Sequence, residues 1–273
     1  KAPEENPFAQ MSIEDIKAML GTHIVPSPED VSNDSADPDF KGEFDWRVEN
    51  SKCAFTPRDQ GRCGSCWAFG AAGALSHRFC LAGEKVLLSE QELVDCSRFP
   101  NMGCNGGFLS YAWSYIQNNG LVTEECMPYY SGAAGDDTRG CLTKCEDGKE
   151  ITKKYTCSGK SGKTVGKQDI ADEVKKNGAT ELSFTVYEDF MNYESGVYQH
   201  TTGAQLGGHA VMLVGWGHDE ETGLDYWLCQ NSWGPRWGNQ GHFKILVGDC
   251  NSSNAIYSCP VKASKIEASL TSF

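Results

Sequence analysis

The sequence predicts an α+β protein in which a helical lobe is followed by a lobe of strands and turns, with a cleft between them. Two observations predict it. Residues 66–80, 89–96 and 108–118 carry helical signals, and after about Cys145 the chain changes to strand-like runs at 180–187, 209–216, 224–230 and 242–247. A chain of 273 residues can bury a core of that size, as one large domain or as two packed lobes.

In chain order, the first element is residues 11–20. Ser12 is an N-cap with Asp15 three residues on, and Ile13, Ile16, Met19 and Leu20 fall at helical spacing, so a short helix with one apolar face is expected. Residues 21–39 have linker composition: Pro26, Pro28 and Pro38, Ser27, Ser32 and Ser35, and five acids. Residues 1–40 hold nine acids and two bases, a charge of −7 out of −13 overall. An apolar helix face on an acidic tether needs a place to dock; a frayed terminus is the bland alternative. From Phe44 the composition is globular. Residues 66–80, rich in Ala and Gly, read as a buried helix beginning near Cys66. Ser89 with Glu92 forms a capping box that opens a second helix, and residues 108–118 make a third, ended by Gly120. There is no internal repeat.

A net charge of −13 argues against a nucleic-acid partner, since no basic surface is available to displace counterions. No run of 18 apolar residues occurs, so no membrane span is expected. Thirteen cysteines point to an oxidising compartment and several disulfides, with at least one thiol left over. The chain begins at Lys1 without a charged and apolar leader, so a secretion signal is expected to have been removed already. Asn33-Asp34-Ser35 and Asn251-Ser252-Ser253 fit the N-glycosylation pattern, making Asn33 and Asn251 candidate acceptors.

Three motifs compete for a chemical role. Gly159-Lys160-Ser161-Gly162-Lys163-Thr164 contains G-K-T, but the glycine a phosphate loop needs five residues before Gly162 is Cys157. It reads as a polar loop. Cys63-x-x-Cys66 and Cys141-x-x-x-Cys145 have zinc-like spacing, yet the six histidines show no matching H-x3-5-H pair and spare thiols in an oxidising compartment pair with each other. A thioredoxin-like pair would follow a strand, whereas Pro57-Arg58-Asp59-Gln60-Gly61 is a turn. No metal and no cofactor is therefore expected. The third reading makes Cys66 a nucleophile, its pKa lowered by the helix N-terminus. Segments 208–216 and 224–231 flank a turn centred on Glu220; an antiparallel hairpin there sets His209 opposite Asn231. Asn231 could then accept the imidazole N–H and leave the other nitrogen for the thiol.

Cys63-Gly64-Ser65-Cys66-Trp67 matches the C-G-[SA]-C-[WY] signature of papain and the cathepsins. Asp59-Gln60-Gly61, residues 88–96, Gly103-Cys104-Asn105-Gly106-Gly107, Gly208-His209-Ala210 and Asn231-Ser232-Trp233-Gly234 follow in the order of that family. On these motifs, which span nearly all of residues 44–260, the chain resembles the papain family of cysteine proteases. Within the family it is most similar to the cathepsin B branch, through Met19-Leu20-Gly21-Thr22, Cys126-Met127-Pro128-Tyr129 and Gly196-Val197-Tyr198-Gln199-His200.

The resemblance implies a two-lobed fold, a helical left lobe over about 51–150 and an antiparallel β-barrel right lobe over about 151–260, within a peptidase domain at 41–273 that ends in a tail at 261–273. Residues 1–40 become a propeptide that blocks the cleft until removed at acidic pH. The resemblance also implies roles: Cys66 as nucleophile, His209 as general base and acid, Asn231 as orienter, Gln60 as an oxyanion donor with the Cys66 backbone N–H. Gly106 and Gly107 would let an extended peptide lie against their backbone, and Trp233 would cover the Asn231–His209 hydrogen bond. Implied disulfides are Cys63–Cys104, Cys53–Cys80, Cys96–Cys141 and Cys126–Cys145, with Cys157, Cys229, Cys250 and Cys259 unassigned, and Cys66 as the odd thiol. The implied partners are peptide and protein substrates and the chain's own propeptide, with no nucleic acid and no membrane. A monomer, secreted or in an acidic vesicle lumen, is expected.

Three departures qualify the resemblance. Residues 127–140 are only fourteen and contain no histidine, where cathepsin B has a long loop with paired histidines that hold a substrate's C-terminal carboxylate. Endopeptidase action with little dipeptidyl carboxypeptidase activity is expected. The acid at the base of the cathepsin B S2 pocket aligns with Ala255, so apolar P2 residues should be favoured over Arg. Residues after about Pro260 match no recognised motif and are expected to be a loose tail. The alternative from another class is a catalytically inactive, disulfide-rich binding homologue, which intact Cys66, His209, Asn231 and Gln60 argue against.

Overall fold

The computed structural model describes residues 6–24, 40, 42–137 and 139–263. Residues 25–39, with candidate acceptor Asn33 and most of the acidic tether, lie outside the described residues, as do 264–273 of the expected tail.

The helices follow their sequence signals. Helix α1 spans Ile13–Met19, and Ser12 caps it by accepting from the Asp15 N–H. Its Ile16 and Met19 are buried. A short strand β1, Glu43–Asp45, leads into α2, Trp46–Glu49. Helix α3, Cys66–Leu81, is buried along nearly its whole length, as its small residues require. Helix α4, Glu90–Cys96, is capped by Ser89 accepting from Glu92 N–H. Helix α5, Leu109–Asn119, ends at Gly120, whose φ of 70° suits glycine. A single turn, α6, covers Ser131–Ala134.

Seven more strands and one helix complete the described fold. They are β2 Gly162–Thr164, β3 Thr180–Tyr187, β4 Val197–Tyr198, β5 Gln205–Asp219, β6 Leu224–Gln230, β7 His242–Leu246 and β8 Ile256–Ser258. The sheet runs β2-β8-β3-β5-β6-β7-β4, with β1 also paired to β5. Among the described residues its end strands do not meet, so the right lobe is an open, mostly antiparallel sheet rather than the expected barrel. Helix α7, Lys167–Asn177, was not expected in a region read as strands and turns. Its signal was Ile170, Ala171 and Val174 on one face, bracketed by Gly166 and Gly178.

Strand alternation distributes side chains to two cores. From β5, Val211 and Leu213 join Leu182, Phe184, Trp227 and α7, while Met212 and Val214 join Trp67, Leu75, Trp113 and the other helices. The first core also takes in Phe8, Ile16 and Met19, so the apolar face of α1 does have a dock. Five disulfides join Cys53–Cys80, Cys63–Cys104, Cys96–Cys141, Cys126–Cys145 and Cys157–Cys259. Cys66, Cys229 and Cys250 are unpaired and buried, so Cys66 is one of three free thiols. The G-K-T segment is spent on edge strand β2, paired with β8.

Candidate active site

Cys66 opens α3, with its turn tied to the loop before α5 by the Cys63–Cys104 disulfide and by Gly64 N–H donating to the Cys104 carbonyl at 2.9 Å. His209 lies on β5 and Asn231 just beyond β6. The expected register is shifted by two. Met212 pairs with Gln230, where a turn centred on Glu220 would pair it with Leu228, and a further irregularity falls between Leu213 and Gly215. The two residues meet diagonally rather than face to face, within reach of side chains on one sheet face.

Their contact fixes a tautomer. His209 Nε2 lies 2.7 Å from Asn231 Oδ1, and the same oxygen accepts the Ser232 N–H at 2.8 Å. An oxygen that already accepts a backbone N–H must accept from the ring too, so Nε2 carries the proton and Nδ1 holds a lone pair. His209 Nδ1 is buried without a hydrogen-bond partner. The Trp233 ring stacks on the imidazole with centroids 4.6 Å apart, and it is itself packed edge-on by Phe8 at 4.8 Å. Water is thereby kept from the His209–Asn231 bond.

The N-terminal segment runs through this site. Thr22 Oγ1 lies 3.1 Å from Cys66 Sγ. Gln60 Nε2 donates to the Met19 carbonyl and to the Cys63 carbonyl, each at 2.8 Å. The segment then takes the backbone partners of an added strand. Gly107 N–H donates to Gly21 O at 2.7 Å, His23 N–H to Gly107 O at 3.0 Å, and Thr22 N–H to Gly208 O at 3.1 Å. Thr22 is parallel to Gly107 and antiparallel to Gly208. Gly106, at φ 109°, leaves room for Gly21 O, which would lie 2.7 Å from a Cβ there. Gly107 is constrained from behind instead: a Cβ would sit 2.6 Å from the Trp67 ring.

Charge states follow from this covering. Burial pushes the Cys66 thiol up, and hydrogen bonds from Thr22, Ala210 and Gly21 only partly offset it. The net direction is upward, opposite to the lowering expected from the helix N-terminus. Burial also holds His209 down to about 4, against the Asn231 hydrogen bond. The covered pair is thiol and neutral imidazole.

A cavity of about 350 Å³ flanks the segment, lined among others by Leu109, Tyr111, Ser183, Ala255, Tyr257 and Ile24, with no carboxylate in its wall. Ala255 is part of that wall. Asn251 lines a pocket with Thr22 and Gly208, and its Nδ2 donates to Thr185 Oγ1 at 3.1 Å. The short 127–140 loop folds back on the turn bearing Gln60. The Gly132 carbonyl accepts Arg62 N–H at 3.0 Å, and Tyr129 Oη donates to Gln60 O at 2.7 Å. Sequence reasoning missed Tyr129, whose only signal was its place in the Cys126–Tyr129 motif.

Comparison with known proteins agrees with the geometry. The papain family cysteine protease domain matches residues 40–263. "Cathepsin B-like cysteine proteinase 4" of Caenorhabditis elegans is 36% identical over 90% of this chain and 84% of its own length. "Cathepsin B-like CP3" of Giardia intestinalis is 44% identical over 74% of this chain and 68% of its own. Among solved structures, procathepsin B S9 from Trypanosoma congolense superposes with a TM-score of 0.82 at 28% identity, covering 94% of this chain and 91% of that one. Procathepsin L2 from Tenebrio molitor larval midgut gives 0.73 at 29%, covering 94% and 82%. The chain therefore belongs to the papain family of cysteine proteases and is cathepsin B-like within it.

Proposed function

We propose that this chain is the zymogen of a cysteine endopeptidase, blocked by its own N-terminal segment. The observation that carries the reading is the Met19 carbonyl on Gln60 Nε2 beside the Thr22 hydroxyl on Cys66 Sγ: the segment occupies the positions a substrate carbonyl and its attacking thiol would need. Once the segment leaves, His209 Nδ1 takes the Cys66 proton and the thiolate attacks a peptide carbonyl. Gln60 Nε2 and the Cys66 backbone N–H hold the oxyanion, and one such donor contributes about 3 kcal/mol. His209 then protonates the departing amine, and water, deprotonated by the same nitrogen, hydrolyses the thioester.

The histidine-free 127–140 loop, packed on Gly61 and Arg62, supports an open primed side and internal cleavage. The carboxylate-free cavity at Ala255 supports apolar P2 residues. Five disulfides support an oxidising compartment, secreted or an acidic lumen. Among the described residues no helix is long and apolar enough to cross a membrane.

Removal of the segment at acidic pH is part of this proposal. Among the described residues the docking contacts are neutral, such as Asn6 to Asn192, Phe8 to Trp233 and Met19 to Gln60.

The test is to acidify the chain and titrate it with a thiol-directed affinity label. Activity should appear and be lost with one label at Cys66; neither appearing would favour the inactive homologue. Release of C-terminal dipeptides as fast as internal cleavage of a capped peptide would overturn the endopeptidase assignment. Acid maturation of a Cys66→Ala chain on its own would exclude self-processing.

A further inference from the structure

We propose that Arg62 makes this peptidase favour an acidic side chain on P1, the substrate residue that supplies the scissile carbonyl. The proposal rests on the peptidase reading above and names a substrate class for it. The docked segment marks two points on the substrate path: the Met19 oxygen on Gln60 Nε2 marks the reacting carbonyl, and the Thr22 pairing with Gly107 marks the backbone beyond P1. Between those points lies a cavity of about 230 Å³. Part of its wall is the segment itself, and the part that remains after the segment leaves is Arg62, Cys104, Asn105 and Gly135. Arg62 is the charged side chain of that remaining wall.

Its guanidinium is held at the rim. The Arg62 N–H donates to Gly132 O and Nη2 to Ala133 O, each at 3.0 Å. These use one of the five guanidinium donors, and among the described residues no carboxylate pairs with it. The neighbouring acids are committed. Asp137, behind the Cys104 N–H, is ion-paired to Arg98 at 2.7 Å, and Asp59 lies against Gly234, accepting Gly61 N–H. Lys17 shares the cavity with Arg62 but belongs to the segment and leaves with it. A carboxylate reaching from P1 into this space meets a fork of N–H donors of matching geometry.

The site is open to solvent, so the preference is modest: about two- to fivefold in kcat/KM for P1 Glu over P1 Gln, declining with salt. The experiment uses the mature enzyme at pH 6, with the active fraction fixed by Cys66 labelling, on peptides that differ only in Glu, Gln or Arg at P1. The Glu/Gln ratio should exceed one at low salt, fall toward one in Arg62→Gln, and reverse in Arg62→Glu, which should favour P1 Arg. A ratio indifferent to both substitutions, or a wild-type preference for P1 Arg over Glu, overturns the proposal while leaving the peptidase reading intact. Cleavage of none of the peptides overturns both.

Discussion

Thr22 Oγ1 touches Cys66 Sγ at 3.1 Å, and the thiol is fully buried. Burial raises the Cys66 pKa and lowers that of His209 to about 4, so the covered pair stays uncharged between about pH 5 and 7. Alkylation of Cys66 by iodoacetamide at pH 6 should therefore be at least about tenfold slower in the intact chain than after removal of the segment. Mass spectrometry of the Cys66 peptide reads the rate. Equal rates would show that the segment does not govern the thiol.

Docking depends on a close approach at Gly21. A Cβ there would lie 1.8 Å from the Gly64 carbonyl oxygen, which is fixed by the adjacent Cys63–Cys104 disulfide. Backbone cannot yield as a flexible side chain does, so overpacking of about 1–3 kcal/mol is expected, enough to weaken docking by about five- to 150-fold. Gly21→Ala should give label uptake and peptide cleavage without prior processing. Glu14→Ala, on the exposed face of α1, should not.

What could be read from the chain was whatever local chemistry determines. Ser12 and Ser89 cap their helices as written, and 180–187 and 224–230 are strands to the residue. Pairing register was less legible, because the irregularity between Leu213 and Gly215 has no separate signature in a run of apolar residues. The Cys66 environment was not legible at all. A helix-start cysteine suggests a lowered pKa, but here the thiol is buried against Thr22, more than forty residues away, and burial raises it instead. Gly107 was read as giving room to a peptide, while the Trp67 ring behind it supplies the constraint.

Stability should peak in mildly acidic solution, for a reason located at Glu181. One carboxyl oxygen accepts from Trp113 Nε1 at 2.7 Å, and the other is buried without a partner against Gly70. Burial raises its pKa well above the ordinary value, and burial raises Glu90 to about 8 against the pull of Arg58. A raised carboxyl contributes stability that is full below about pH 4.5 and is lost as pH rises through the folded value. His77, His209 and His242, each lowered to about 4 by burial, lose their contribution as pH falls from about 6.5 through that value. Glu181→Gln should therefore flatten the alkaline limb of the unfolding temperature between pH 6 and 8, by several degrees, and leave the acid limb in place. An unchanged alkaline limb would clear Glu181 of the effect.

Tyr129 Oη lies 2.7 Å from both the Gln60 carbonyl and Ser65 Oγ. Its single proton goes to the carbonyl, so Ser65 must donate to Tyr129, and a directed chain links the residue that precedes Cys66 to Gln60, the proposed oxyanion donor. Burial raises the phenol pKa, which keeps that proton in place. Tyr129→Phe retains the ring packed edge-on to Phe69 and the backbone N–H on Glu124, and removes only the link. Losing a whole oxyanion donor costs about 100- to 1000-fold in kcat, so loosening one should cost about three- to tenfold, with KM little changed. A general loss of fold would behave differently. In a Gln60→Ala background, where no amide remains to be positioned, Tyr129→Phe should add much less than it does in the wild type, and fully additive losses in that double-mutant cycle would refute the positioning role.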